Sequence, residues 1–230
     1  MACAEAGAAV VVAGPGDNAA ETFDLLNERG GRGAFVRTDV TVAEQVEAVV
    51  QQAVGRFGGL DAVVHNATSR RSSEVVAIDA VDDEAWDDHV AVSLRGAYHC
   101  ARSALPYLRQ RRGRFLLMTS PAAMEGSIAL PAYAAVKGAV RGLAKSLAVE
   151  WGPLGVRVVC LSPLAHTPAL DKAYLDNPEL AQRLARVVPL GRVGDPDTDI
   201  APVVVFLLGE GARYITGQTV VVDGGRFTTL

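Results

Sequence analysis

Cysteine is scarce and scattered. The three residues, Cys3, Cys100 and Cys160, are odd in number and lack the paired spacing of a metal site. That excludes a disulfide framework and predicts a reduced, cytoplasmic protein. The four histidines form no ligand cluster, and His65 and His99 sit in apolar surroundings that read as structural. Positive charge is not in excess: the formal net charge is −4, which argues against nucleic acid as the main partner. The basic run Arg111-Arg112-Gly113-Arg114 reads as a solvated helix-to-strand turn. No apolar run approaches membrane-spanning length, so no membrane partner is expected. The opening residues have no basic n-region, so no signal peptide is predicted. There is no internal repeat, low-complexity tract or linker, and the 230 residues read as one domain.

Hydrophobic residues make up 50% of the chain, enough for a buried core. Short β-branched runs recur at 9–13, 34–38, 60–65, 114–119, 156–161 and 219–222. Between most of them lie stretches of helical period, at 18–28, 42–57, 83–110, 132–151 and 197–208. Continuous apolar strands separated by helices predict a mostly parallel sheet covered on both faces, a doubly wound α/β fold. Thr41, followed three positions later by Glu44, fits a capping box at the start of the second helix. Gly58-Gly59 ends that helix, and Gly113 and Gly152 are placed for similar work.

The chemistry concentrates around Tyr133-Ala134-Ala135-Val136-Lys137. On a helix, residues four apart lie one above the other, so an ammonium can stand near a phenol. An ordinary tyrosine is a poor acid or base at neutral pH, and a nearby cation favours its phenolate. Such a pair suits proton exchange during carbonyl/alcohol redox chemistry. Ser120 precedes Tyr133 by thirteen residues and is a candidate donor to a developing oxyanion. Thr119-Ser120-Pro121 also has turn chemistry.

Several motifs agree in order and spacing with one family. They are Thr38-Asp39-Val40-Thr41, His65-Asn66-Ala67-Thr68, the Ser120/Tyr133/Lys137 set, Ser162-Pro163-Leu164-Ala165-His166-Thr167, and Tyr214-Ile215-Thr216-Gly217-Gln218 with Val222-Asp223-Gly224-Gly225. In these the chain resembles the short-chain dehydrogenases/reductases of the shorter-subunit branch. The resemblance implies a Rossmann-type fold, NAD or NADP as cofactor, and a small-molecule carbonyl or alcohol as substrate. It also implies a homodimer or homotetramer, paired through its two long helices. Tyr133 would be the acid/base. Lys137 would lower the Tyr133 pKa and hold the nicotinamide ribose. Ser120 would orient the substrate oxygen, and Ser93 stands where a catalytic asparagine is usual. Cofactor contacts would come from Asp39, Val40, Asn66, Ala67, Pro163 and Thr167, with Tyr133 and Lys137. Asp39 and Thr167 also suit plain turn or capping roles.

The chain departs from the family pattern in places. Ser93 is shorter than asparagine and weakens the expected proton relay to the lysine. Thr68 replaces a glycine, and Leu164 another. Residues 12–16 offer neither an acid that would favour NAD nor a base that would favour NADP. Residues 2–8 resemble the end of the family's first helix, so the chain is expected to be truncated, without the first strand and glycine-rich loop. Because unpaired strand edges inside a domain are costly, three resolutions are open: a translation start upstream of Met1, closure of the flanking strands on each other, or a strand supplied by another chain. Segment 164–189 falls where the family carries a substrate lid. Leu170, Tyr174, Leu175, Leu180 and Leu184 make it moderately apolar, with 122–130 as the other wall, which suits either helix packing or a small or medium apolar carbonyl compound. Two other readings stay open: lyase, isomerase or dehalogenase chemistry without hydride transfer, and a non-catalytic relative.

Overall fold

A computed structural model describes residues 1–228. The strands are β1 (Val10–Gly14), β2 (Gly33–Arg37), β3 (Ala62–His65), β4 (Arg114–Met118), β5 (Arg157–Pro163) and β6 (Thr219–Val222). The helices are α1 (Ala2–Glu5), α2 (Asp17–Glu28), α3 (Ala43–Phe57), α4 (Asp83–His89), α5 (Gly96–Arg111), α6 (Ala122–Glu125), α7 (Pro131–Trp151), α8 (Pro168–Asp176), α9 (Glu179–Val187) and α10 (Ala201–Leu208). Every strand pairing is parallel. The C-terminal ends of all the strands therefore gather along one edge, where ligands of open α/β sheets bind.

Side-chain alternation along the central strands divides the core in two. Phe115 and Leu117 of β4, with Val158 and Cys160 of β5, face one side and pack on α5 and α7. Leu116, Val159 and Leu161 face the other and pack on α10. The sheet is thus covered on both faces, as the continuous apolar strands predict. No helix among the described residues is long and apolar enough to cross a membrane.

The sheet is interrupted. β1 pairs with β2, and β3-β4-β5-β6 form a second run, but β1 and β3 do not pair with each other. Direct closure of these two strands is therefore not what the structure shows. The β1–β2 register brings Val10 opposite Gly33 at very close range. A Cβ at Gly33 would stand 2.3 Å from the Val10 carbonyl oxygen, a backbone atom that cannot move aside. Gly33→Ala should lower the unfolding free energy by about 2 kcal/mol or more, measured by chemical denaturation.

Local signals differ in detail. Residues 83–111 do not form one regular helix: a π-helical segment, Val90–Arg95, joins α4 to α5. Thr41 does not cap α3. Its backbone N–H and hydroxyl both donate to Asp39 Oδ1, at 2.9 and 2.7 Å, so the turn competes successfully for the threonine. Gly58 does end α3 in the left-handed conformation, φ +79°. After α5 that conformation falls on Arg112, and after α7 on Gly155 rather than Gly152.

Candidate active site

Strand β4 delivers Thr119 and Ser120 to the edge where the strand ends gather. Helix α7 begins at Pro131, whose missing N–H costs nothing in a first turn. Tyr133 then lies in its first turn and Lys137 one turn further on. The Thr119 hydroxyl donates to the Lys137 carbonyl at 3.0 Å and fastens strand end to helix. The Lys137 ammonium, only 4% exposed, donates to the Met118 carbonyl at 3.0 Å. It also lies 5.7 Å from the centroid of the Tyr133 ring. The Ser120 hydroxyl accepts the Ala122 N–H at 3.3 Å, so the turn chemistry read from the sequence is present too.

Electrostatics modify the expectation of an acidified phenol. Burial raises the Tyr133 pKa, and the neighbouring Ser120 hydroxyl opposes that shift. Lys137 is itself depressed to about 8 by burial, with Cys160 opposing. In the protein alone, the phenol is therefore protonated at neutral pH. Burial is the larger of the two influences on the phenol.

Ser93 occupies the π-helical segment and is fully buried. Its carbonyl accepts from His65 Nε2 at 3.0 Å, and its hydroxyl lies 3.5 Å from the Thr68 hydroxyl. Two departures from the family pattern, Ser93 and Thr68, thus touch, and His65 bonds to the same segment. Because His65 Nε2 must carry a proton to make this bond, its Nδ1 is the unprotonated nitrogen, 3.8 Å from Cys100 Sγ. Burial pushes the His65 pKa down to about 4, partly offset by the bond to Ser93 and reinforced by Lys137.

The remaining predicted cofactor contacts line the same edge. Asn66 and Ala67 follow β3, and the Asn66 amide is exposed with no hydrogen bond to the protein among the described residues. Pro163 ends β5. Val40 packs against Gly96, where an added Cβ would meet its Cγ2 at 2.8 Å, and its carbonyl accepts from His99 Nδ1 at 2.9 Å. The Asp39 carboxylate is held in the turn to Thr41, and the Thr167 hydroxyl accepts the Leu170 N–H at 3.2 Å. The donor set fits the nicotinamide half of a dinucleotide: the lysine has N–H groups beyond the one given to Met118, and the Asn66 amide is unengaged. Lys137 and Tyr133 would hold the ribose, with Asn66 and Ala67 beside it.

One residue was missed from sequence. His89, the last residue of α4, lies four positions before Ser93, so helical spacing could have brought it forward. It is 5% exposed, its Nδ1 is buried without a partner, and its ring stands edge-on to Tyr133 with centroids 6.3 Å apart. A cleft beside Tyr133 is walled by His89 and Ala85, by Arg71, Glu74 and Asp82, and by Leu130. Among the described residues, the expected lid, 164–189, contributes no wall to that cleft.

Parallel strand ends, a buried lysine and a tyrosine one helical turn before it define an oxidoreductase of carbonyls and alcohols. A family described as Enoyl-(Acyl carrier protein) reductase matches residues 1–226. The 3-oxoacyl-[acyl-carrier-protein] reductase FabG of Staphylococcus aureus is 34% identical over 220 residues, 95% of this chain and 87% of that protein. The 12alpha-hydroxysteroid dehydrogenase of a Clostridium species is 32% identical over 191 residues, 81% and 73% of the two chains. A gluconate 5-dehydrogenase from Burkholderia cenocepacia, solved with NADP and tartrate, superposes with a TM-score of 0.90 at 28% identity. That superposition covers 100% of this chain and 89% of the other. The chain belongs to the short-chain dehydrogenase/reductase family of NAD(P)-dependent oxidoreductases.

Proposed function

We infer that Tyr133 is the acid/base of this oxidoreductase, with Lys137, Ser120 and Asn66 arranged around it. The observation that carries this reading is the buried Lys137 ammonium beneath the Tyr133 ring, tied to β4 through Met118 and Thr119. When bound, a nicotinamide coenzyme supplies the site that takes or gives the hydride. In alcohol oxidation the phenolate of Tyr133 accepts the substrate hydroxyl proton as the carbon loses its hydride. In carbonyl reduction the protonated phenol returns that proton to the oxygen. Ser120 donates to the oxygen where negative charge develops, and Lys137 stabilises the phenolate and orients the ribose.

The finer features follow the same reading. Trp86, Tyr98 and Val149 leave apolar surface on α4, α5 and α7, at 40%, 48% and 81% exposure. Pairing with a second copy through these helices would cover it. Three unpaired cysteines suit a reducing compartment such as the cytoplasm.

The test is direct. The purified chain, mixed with NAD or NADP and a panel of secondary alcohols, should produce reduced nicotinamide, and it should sediment as a dimer or tetramer. Absence of hydride transfer in both directions, from a folded sample that also binds neither coenzyme, removes this reading. Activity on an eliminable substrate without any coenzyme would favour the lyase or isomerase alternative instead.

A further inference from the structure

The cleft beside Tyr133 is more polar than the apolar substrate expected from sequence requires. Arg71 enters one wall, but its guanidinium is already committed: Nε donates to Glu74 at 2.8 Å, and Nη1 and Nη2 donate to the two Asp82 oxygens at 3.3 and 3.2 Å. Two carboxylates against one guanidinium leave the wall with a net negative charge. The surrounding chain is acidic as well: six of the ten residues 79–88, Asp82 among them, are acidic and none is basic.

An anionic substrate would meet carboxylates here and find the Arg71 guanidinium already occupied. A hydroxyl would meet the opposite situation. Each carboxylate has lone-pair sites beyond those Arg71 uses, and these can only accept, as they would from a hydroxyl. Opposite them stands His89. Burial lowers its pKa, Asp88 and Glu74 oppose the shift, and Arg71 and Lys137 reinforce it, so the ring is neutral near pH 7. A neutral imidazole has one donor and one acceptor nitrogen. Nδ1 is buried without a partner, and Nε2 makes no hydrogen bond among the described residues, so Nε2 is the nitrogen left for a ligand. Leaving such a ring unpaired costs about 1–3 kcal/mol, which an aliphatic residue in its place would avoid.

Resting on the function proposed above, we propose that this cleft selects a neutral polyhydroxylated substrate. Hydroxyls beside the reacting carbon bond to His89 and to the Glu74/Asp82 carboxylates. Carboxylic acids and phosphate esters are disfavoured by the acidic wall, and simple aliphatic alcohols leave its polar groups unpaired. The redox step is unchanged: one carbon loses a hydride to the nicotinamide and its hydroxyl proton to Tyr133.

The experiment compares ribitol, ribonate and 2-hexanol with the parent, His89→Val and Glu74→Gln. Turnover is measured with NAD and NADP, and binding without coenzyme by ligand-observed NMR. The parent should bind and oxidise ribitol in preference to both others. His89→Val should melt no lower than the parent, yet its ratio of kcat/KM for ribitol over 2-hexanol should fall by about 10–100-fold. Glu74→Gln should raise kcat/KM for ribonate relative to ribitol, and added salt should do the same in the parent. Preference for 2-hexanol or ribonate, or an unchanged ratio in His89→Val, overturns the substrate class while leaving the oxidoreductase intact. Failure to turn over any alcohol with either coenzyme strikes the function itself. In that case ribitol binding that His89→Val does not weaken overturns the cleft assignment, as does no binding at all.

Discussion

Tyr133→Phe should fold and melt like the parent and lose about 10²–10⁴-fold in kcat, with a small change in KM. The substitution removes one oxygen and keeps the ring, so the packing of His89 and the position of Lys137 beneath it persist. Only the proton carrier is lost. Burial raises the pKa of the parent phenol, so the protonated form dominates at neutral pH. Carbonyl reduction uses that form directly. Alcohol oxidation needs the phenolate, so its rate should climb as pH rises above neutrality, and this climb should vanish in the variant. The measurement is steady-state turnover in both directions across pH, with a thermal melt as the folding control. Turnover within about threefold of the parent would mean that Tyr133 is not the acid/base.

Much of this arrangement is legible in the chain because it rests on local rules. Apolar runs bounded by helical stretches give parallel strands, and each of the six strands lies within a residue or two of its expected place. The Tyr133–Lys137 spacing works because α7 is an uninterrupted helix through both residues. What could not be read depends on contacts distant in sequence. The Met118 carbonyl that engages Lys137 belongs to a strand, nineteen residues away. The sign of the Tyr133 shift turns on burial, which sequence spacing does not report. Thr68 and Ser93 looked like separate departures and His65 like a structural residue, yet a π-helical segment and the end of β3 bring Thr68 and His65 to Ser93. A helical wheel assumes regular period and loses register across such a segment. The acidic cleft wall was missed because Arg71 and Glu74 lie outside α4, the helix that Asp82 caps and His89 ends.

Lys137→Met should separate stability from activity. The ammonium has a pKa of about 8 in the fold and about 10.4 in an unfolded chain. Between those values the unfolded state binds more protons, so the stability of the parent rises with pH through this window. Below about pH 8 both states are charged and the whole cost is present, about 3 kcal/mol from the difference in pKa. Methionine has similar length and no charge, so it removes that cost. It also leaves the Met118 carbonyl without its donor, which returns about 1–3 kcal/mol. The variant should therefore be at least as stable as the parent at pH 7. Its advantage should shrink by about 2.5 kcal/mol on going to pH 10, as the parent lysine loses its proton in the fold. Turnover should be lost at every pH, because no cation remains to stabilise the phenolate. Denaturation curves at pH 7 and pH 10, with parallel assays, check both halves. A variant much less stable than the parent at pH 7 would mean that the buried ammonium holds the fold together. The expected result has the opposite meaning: α7 and β4 keep a charged lysine in a dry position at a cost in stability, as a site built for chemistry does.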